Sequence, residues 1–114
     1  MITVVSVRGK QPEQMPAGFV YVGRTYAAWY GSPLGNPFPL INESLRSHCL
    51  AQYRSWLWGR MQDPDSAQSK ALAGIVEAAK AGDVALGCWC HPKPCHADIV
   101  KAAVEYLIKE GLPQ

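Results

Sequence analysis

Asp83-Val84-Ala85-Leu86-Gly87-Cys88-Trp89-Cys90-His91-Pro92-Lys93-Pro94-Cys95-His96-Ala97-Asp98 is the stretch that decides the fold. Its first half, up to Cys90, is apolar and short enough to be a buried strand. Beyond the two prolines, Ile99, Val100, Ala103, Val104, Leu107 and Ile108 recur at the spacing of one helix face, with Gly111 and Pro113 as stop signals. A strand that hands over to a helix is the building step of an α/β sheet. Three of the four cysteines and two of the three histidines lie in the handover, which is more chemistry than packing alone requires.

Outward from this junction, Ile2 to Val7 and Phe19 to Val22 are runs of strand-forming residues, closed by Arg8-Gly9-Lys10 and Gly23-Arg24, and both predict strands. Thr25 to Leu40 mixes Gly31, Pro33, Gly35, Pro37 and Pro39 with Tyr26, Trp29, Tyr30 and Phe38, which predicts an ordered, packed loop. Leu45, Cys49, Tyr53, Trp56, Leu57 and Met61 then predict a helix with Asn42 or Ser44 as its cap. Asp63-Pro64-Asp65-Ser66 interrupts it, and Leu72, Ile75, Val76 and Ala79 predict a second helix ending near Gly82. The order implies one small α/β domain over residues 1–114, Rossmann-like and three-layered, with mostly parallel strands. In such a sheet the loops after Val22 and Cys90 leave from the same edge. Arg24, the Gly/Pro loop and the Cys/His loop are therefore expected to line one cleft.

The totals narrow the function classes. With 48% hydrophobic and 18% charged residues the chain is built to fold. Eleven basic against nine acidic residues leave a formal charge of +2, scattered along the sequence, so there is no strong signal for binding duplex DNA. No apolar run is long enough to span a bilayer, and the start Met1-Ile2-Thr3-Val4-Val5-Ser6-Val7 lacks the pattern of a secretory signal, so no membrane partner is expected and the location expected is cytoplasmic. In that setting the cysteines are expected to be reduced thiols or ligands, not bridges. Nothing in the sequence indicates an oligomeric state.

The chemistry-bearing residues each admit two roles. Cys95 is placed just before or at the first turn of the last helix, where unpaired N–H groups stabilise a thiolate, with Lys93 and His96 beside it. It is a candidate nucleophile or anion site, or else a small buried residue that ends the turn. Asp98 caps that helix or acts as acid or base beside His96. Cys88, Cys90 and Cys95 with His91 or His96 also make a soft-ligand set for zinc, although the spacing lacks paired knuckles. No cofactor is firmly implied. Gly31, Ser32, Gly35 and Asn36 belong to a loop that either admits a ligand close to the backbone, with Asn36 reading a base or sugar edge, or is an Ω-like loop stapled by its own packing. Arg24 is placed to hold a phosphate. Tyr26, Trp29 or Tyr30 offer a ring for stacking a base, while Trp56 and Trp58 read as core and rim.

Val22-Gly23-Arg24, the loop Gly31-Ser32-Pro33-Leu34-Gly35-Asn36-Pro37-Phe38, Tyr53-Arg54-Ser55-Trp56-Leu57, and Gly87-Cys88-Trp89-Cys90 with Pro92, Pro94, Cys95, His96 and Asp98 together resemble a domain-of-unknown-function family of bacteria and phages. The resemblance runs from about Phe19 to the terminal helix and implies no established activity. Ala97 stands where the family usually has glycine. The pattern Pro92-x-x-Cys95-His96 is also similar to that of a second uncharacterised α/β family.

The expectation is a small protein that binds a nucleotide or nucleotide-derived metabolite at the strand-end cleft, with action on its glycosidic or phosphate linkage as the enzymatic version. In that version Arg24 takes the phosphate, Asn36 orients the ligand, and Cys95, His96 and Asp98 carry catalysis. The alternatives are a non-catalytic protein that sequesters a nucleotide and a zinc-stabilised interaction or single-strand nucleic-acid module.

Overall fold

The computed structural model describes residues 1–111, and Pro113, one of the stop signals, lies outside the described residues. Strand β1 spans Ile2–Ser6, β2 Phe19–Tyr21 and β3 Val84–Cys88; helix α1 spans Arg46–Met61, α2 Ala67–Ala81 and α3 His96–Glu110. The strands form one parallel sheet in the order β1-β3-β2. The strand that heads the Cys/His loop is thus the central one, with Val4 and Val20 both in register with Leu86. This central position explains its unbroken apolar run, since a strand paired on both sides and covered on both faces has no place for charge.

Side chains alternate across the sheet. Ile2, Val4, Val20, Val84, Leu86 and Cys88 share a core with Tyr53, Leu57 and Met61 of α1, Leu72, Ile75 and Val76 of α2, and Val100, Val104 and Leu107 of α3. All three helices therefore contribute to the core on that face. On the opposite face Trp29, only 4% exposed, lies 5.6 Å from the ring of Phe19 and 4.9 Å from that of Tyr21. Gly87 sits beneath these rings, where a Cβ would run into Phe19 and stand 2.9 Å from Val7 Cγ1. The α/β class and the parallel strands are as expected, and the layer beyond the sheet is an aromatic loop instead of helix.

Local signals set the helix ends. Asn42 Oδ1 accepts the Ser44 N–H at 2.9 Å, which caps a 3-10 turn at Glu43–Leu45, and α1 proper starts one residue later at Arg46. The side chain of Ser66 accepts the Ser69 N–H at 3.0 Å and donates to Arg60 O at 2.9 Å, so one buried hydroxyl caps α2 and fastens it to the end of α1. Gly111, at φ 89°, ends α3 with its N–H on Leu107 O at 2.8 Å. The Gly/Pro loop is held to α1 by Tyr53, whose fully buried hydroxyl donates to Leu34 O at 2.6 Å.

Candidate functional site

Parallel strands all point their carboxyl ends to one edge, so whatever follows them converges there. Arg8 follows β1, Gly23 and Arg24 follow β2, and Trp89 and Cys90 follow β3. With the N-terminal residues of α1 and α3 they line a cleft of about 520 Å3. The expected meeting of Arg24 with the Cys/His loop is observed, since Cys90, Cys95 and His96 are in the same lining.

The chemistry of the cleft is dominated by Arg8, Arg24 and Arg46, and among the described residues no aspartate or glutamate lines it. Each arginine comes from a different segment and is held differently. Arg8 Nε donates to Trp89 O at 2.7 Å. Arg46 is clamped by Glu43, with Nε on Oε2 at 2.9 Å and Nη2 on Oε1 at 2.7 Å, and its Nη1 reaches Pro94 O at 2.8 Å. The Arg46 guanidinium lowers the pKa of Glu43, and the Glu43 carboxylate in turn raises that of Arg46. A guanidinium carries five N–H groups, so Arg46 keeps two and Arg8 four for a ligand. No hydrogen bond or ion pair among the described residues engages the guanidinium of exposed Arg24. Tyr26 and Trp89 form an edge-to-face pair at 5.1 Å on the wall, and Phe38 adds apolar surface.

Cys95 is the N-cap residue of α3, as its sequence position implied, but it is 2% exposed and its sulfur lies 2.8 Å from Cys88 Sγ. Two thiols so close share a proton. The Cys95 thiol donating to Cys88, together with burial, makes Cys95 the harder of the two to ionise, and that same bond, helped by the His91 and Cys90 N–H groups, brings the Cys88 pKa down. Asp98 is exposed and not in the lining, and its Oδ2 accepts the Cys95 N–H at 3.0 Å. It fills the third position of a capping box, the capping role of the two open to it. His96 Nε2 lies 2.7 Å from Val22 O. A carbonyl can only accept, so Nε2 carries the proton and Nδ1 keeps the lone pair. The imidazole packs edge-on against Tyr53 at 5.2 Å, and burial lowers its pKa from 6.5.

The other named residues divide differently. Asn36 lines the cleft, yet its amide is occupied internally, accepting from Phe38 N at 2.9 Å and donating to Cys49 Sγ at 3.5 Å. Gly31 is pressed against Thr25, whose Oγ1 accepts its N–H at 2.8 Å. Ser32 bonds Gly23 O and Leu34 N, and a Cβ on Gly35 would stand 3.1 Å from Gly23 O. Gly31, Ser32 and Gly35 are not in the lining and serve the loop's own packing. Lys93 projects to Glu43 at 3.6 Å, also outside it. Trp29 seals the sheet and Tyr30 is 93% exposed, which leaves Tyr26 as the cleft's ring. For zinc, no three Cys, His, Asp or Glu side chains among the described residues are grouped to hold an ion. Within the proposed set Cys88 and Cys95 meet, while the His96 ring turns to Val22.

Domain of unknown function (DUF4326) matches residues 5–106, nearly all of the chain. The chain belongs to the DUF4326 family. The match encloses all three cleft arginines and the whole Cys/His loop, in keeping with the resemblance carried by the loop motifs. A similar protein is the uncharacterized 12.4 kDa protein of the nrdA-td intergenic region of Enterobacteria phage T4, 25% identical over 95 residues that cover 69% of this chain and 88% of the relative. No solved structure matches. DUF4326 membership and this likeness to a phage protein name no activity and leave the chemistry to be read from the cleft.

His96 makes a prediction of its own. Burial lowers its folded pKa below the ordinary 6.5, so the unfolded chain binds the extra proton first. Stability is then complete above about pH 6.5 and declines as the pH falls toward the folded pKa. His96→Gln should flatten this acid limb, checked by thermal midpoints between about pH 7.5 and pH 5. A wild-type midpoint that rises on acidification would show a charged, paired imidazole instead.

Proposed function

We propose that the cleft binds a nucleotide or nucleotide-derived metabolite, held chiefly by its phosphate. The observation that carries this is the convergence of Arg8, Arg24 and Arg46 on one concavity without an acidic side chain among the described residues of its lining. Guanidinium groups are the preferred partners of phosphate oxygens because their planar N–H pairs match them two at a time. Glu43 and Pro94 O fix the direction of Arg46, and such preorganisation lowers the entropy lost on binding. The volume is within the range of small-molecule sites, about 300–1,000 Å3. Tyr26, Trp89 and Phe38 supply apolar surface for a base or sugar.

Binding is better supported than turnover. Asp98 is occupied as a cap and Cys95 is buried against Cys88, so of the three residues assigned to catalysis only His96, which is in the lining, retains a lone pair for general-base work, on Nδ1.

Calorimetric titration with the common nucleosides, their monophosphates and inorganic phosphate tests the proposal. At least one monophosphate should bind at least about tenfold more tightly than its nucleoside, and the difference should shrink with added salt. Equal binding of nucleoside and monophosphate, or no binding by any, would overturn it.

A further inference from the structure

At and just behind the cleft wall stands a pair of side chains that phosphate recognition does not use. Cys88 ends the central strand, Cys95 caps the helix that follows, and their sulfurs stand 2.8 Å apart with both side chains buried. Two thiolates on one zinc ion, each about 2.3 Å from it, lie roughly 3.8 Å apart. The spacing is therefore too short for a shared metal, and less than an ångström of approach separates it from a disulfide at about 2.05 Å. Cys88 is the last residue of β3 and Cys95 the N-cap residue of α3, at the two ends of one short loop, so little rearrangement is needed. Cys95 lines the cleft, whereas Cys88 does not.

We propose that Cys88 and Cys95 are a reversible thiol–disulfide site, oxidised by a hydroperoxide that enters through the cleft. The sulfur that borders the cleft reacts first. Cys88 Sγ gives its proton to water, the proton on Cys95 then passes to Cys88 across the contact, and Cys95 Sγ attacks the terminal peroxide oxygen. The O–O bond breaks, and the leaving alkoxide or hydroxide takes a proton from water. Cys95 is then a sulfenic acid. Cys88 Sγ attacks Cys95 Sγ, the S–O bond breaks, and the departing hydroxide takes the Cys88 proton as water. The sum is two thiols and one hydroperoxide giving one disulfide, one alcohol or water, and one water. An external dithiol reverses it by exchange and is itself oxidised to a disulfide. Cys90, also on the cleft, and Cys49, whose sulfur donates to Phe38 O at 3.3 Å, lie outside the pair.

Folded wild-type chain treated with hydrogen peroxide, then mass-analysed intact and as non-reduced peptides, tests the site without any nucleotide. The chain should lose the mass of two hydrogens, the link should map to Cys88 and Cys95, and dithiothreitol should restore the starting mass. A Cys49→Ser, Cys90→Ser double variant should form the same link at the same rate. A bridge to Cys90 or Cys49, stable addition of oxygen at Cys95 with no link, or reaction only after unfolding would each overturn the proposal. If the double variant does not fold, the wild-type peptide map alone decides.

Discussion

Arg24→Ala is expected to weaken binding of the preferred nucleoside monophosphate by about thirtyfold, equivalent to roughly 2 kcal/mol, because a charge-assisted contact to phosphate is lost. The thermal midpoint should barely move. No ion pair or hydrogen bond of the Arg24 guanidinium among the described residues is broken by the change, and the backbone carbonyl that accepts from Tyr21 at 2.6 Å remains. Arg46→Ala should behave otherwise, losing affinity and stability together, since its guanidinium also ties α1 to Pro94 and Glu43. Calorimetry and thermal melts on both variants separate the two roles. An Arg24→Ala protein that melts many degrees lower yet binds as the wild type does would make Arg24 a structural residue.

The largest effect on folding is expected at Leu86. Its side chain is fully buried on the central strand, in register with Val4 and Val20 and in one core with all three helices. Rigid neighbours on both flanks leave little room for collapse, so Leu86→Ala should cost about 2–5 kcal/mol. Urea unfolding should show a lower midpoint with an unchanged slope. Ile41→Ala, at a residue 86% exposed, should stay within about 0.5 kcal/mol. A mild loss at Leu86 would mean that the core relaxes around the deleted atoms.

Periodicity made the elements legible. The strands and helices lie where the apolar patterns placed them, because spacing of two or of three and four is written directly in the order of residues. The site was legible only in part, and for identifiable reasons. Arg24 and Cys95 were found because chain order alone puts strand ends and helix starts on one edge. Arg8 follows β1 just as Arg24 follows β2, and the same rule applied to the first strand would have found it. Arg46 had no such signal. It faces the cleft because Glu43 clamps it and Pro94, 48 residues away, accepts from it. Gly31, Ser32 and Gly35 were ambiguous in kind, since a missing side chain admits a ligand and a neighbouring loop equally, and here the neighbours are Thr25 and Gly23. The cysteine geometry turned on where a strand stops. Cys88 and Cys90 share a face only if the strand continues, and because β3 ends at Cys88 its partner is Cys95, across the loop.

The turn from Tyr26 to Trp29 closes with paired backbone bonds of 3.0 and 2.8 Å and places Ala27 at φ 51°. It sends Trp29 under the sheet and leaves Tyr26 against Trp89 at the cleft. Two aromatic side chains three residues apart thus have separate places, one in the packing beneath the sheet and one in the cleft wall, while a single backbone geometry orients both. Evolutionary change here is coupled. A substitution that suits a new ligand at Tyr26 must keep the turn that holds Trp29, and drift at Trp29 is felt at the cleft. Specificity in relatives with this turn would diversify more freely through the arginines and Phe38 than through the ring nearest the mouth.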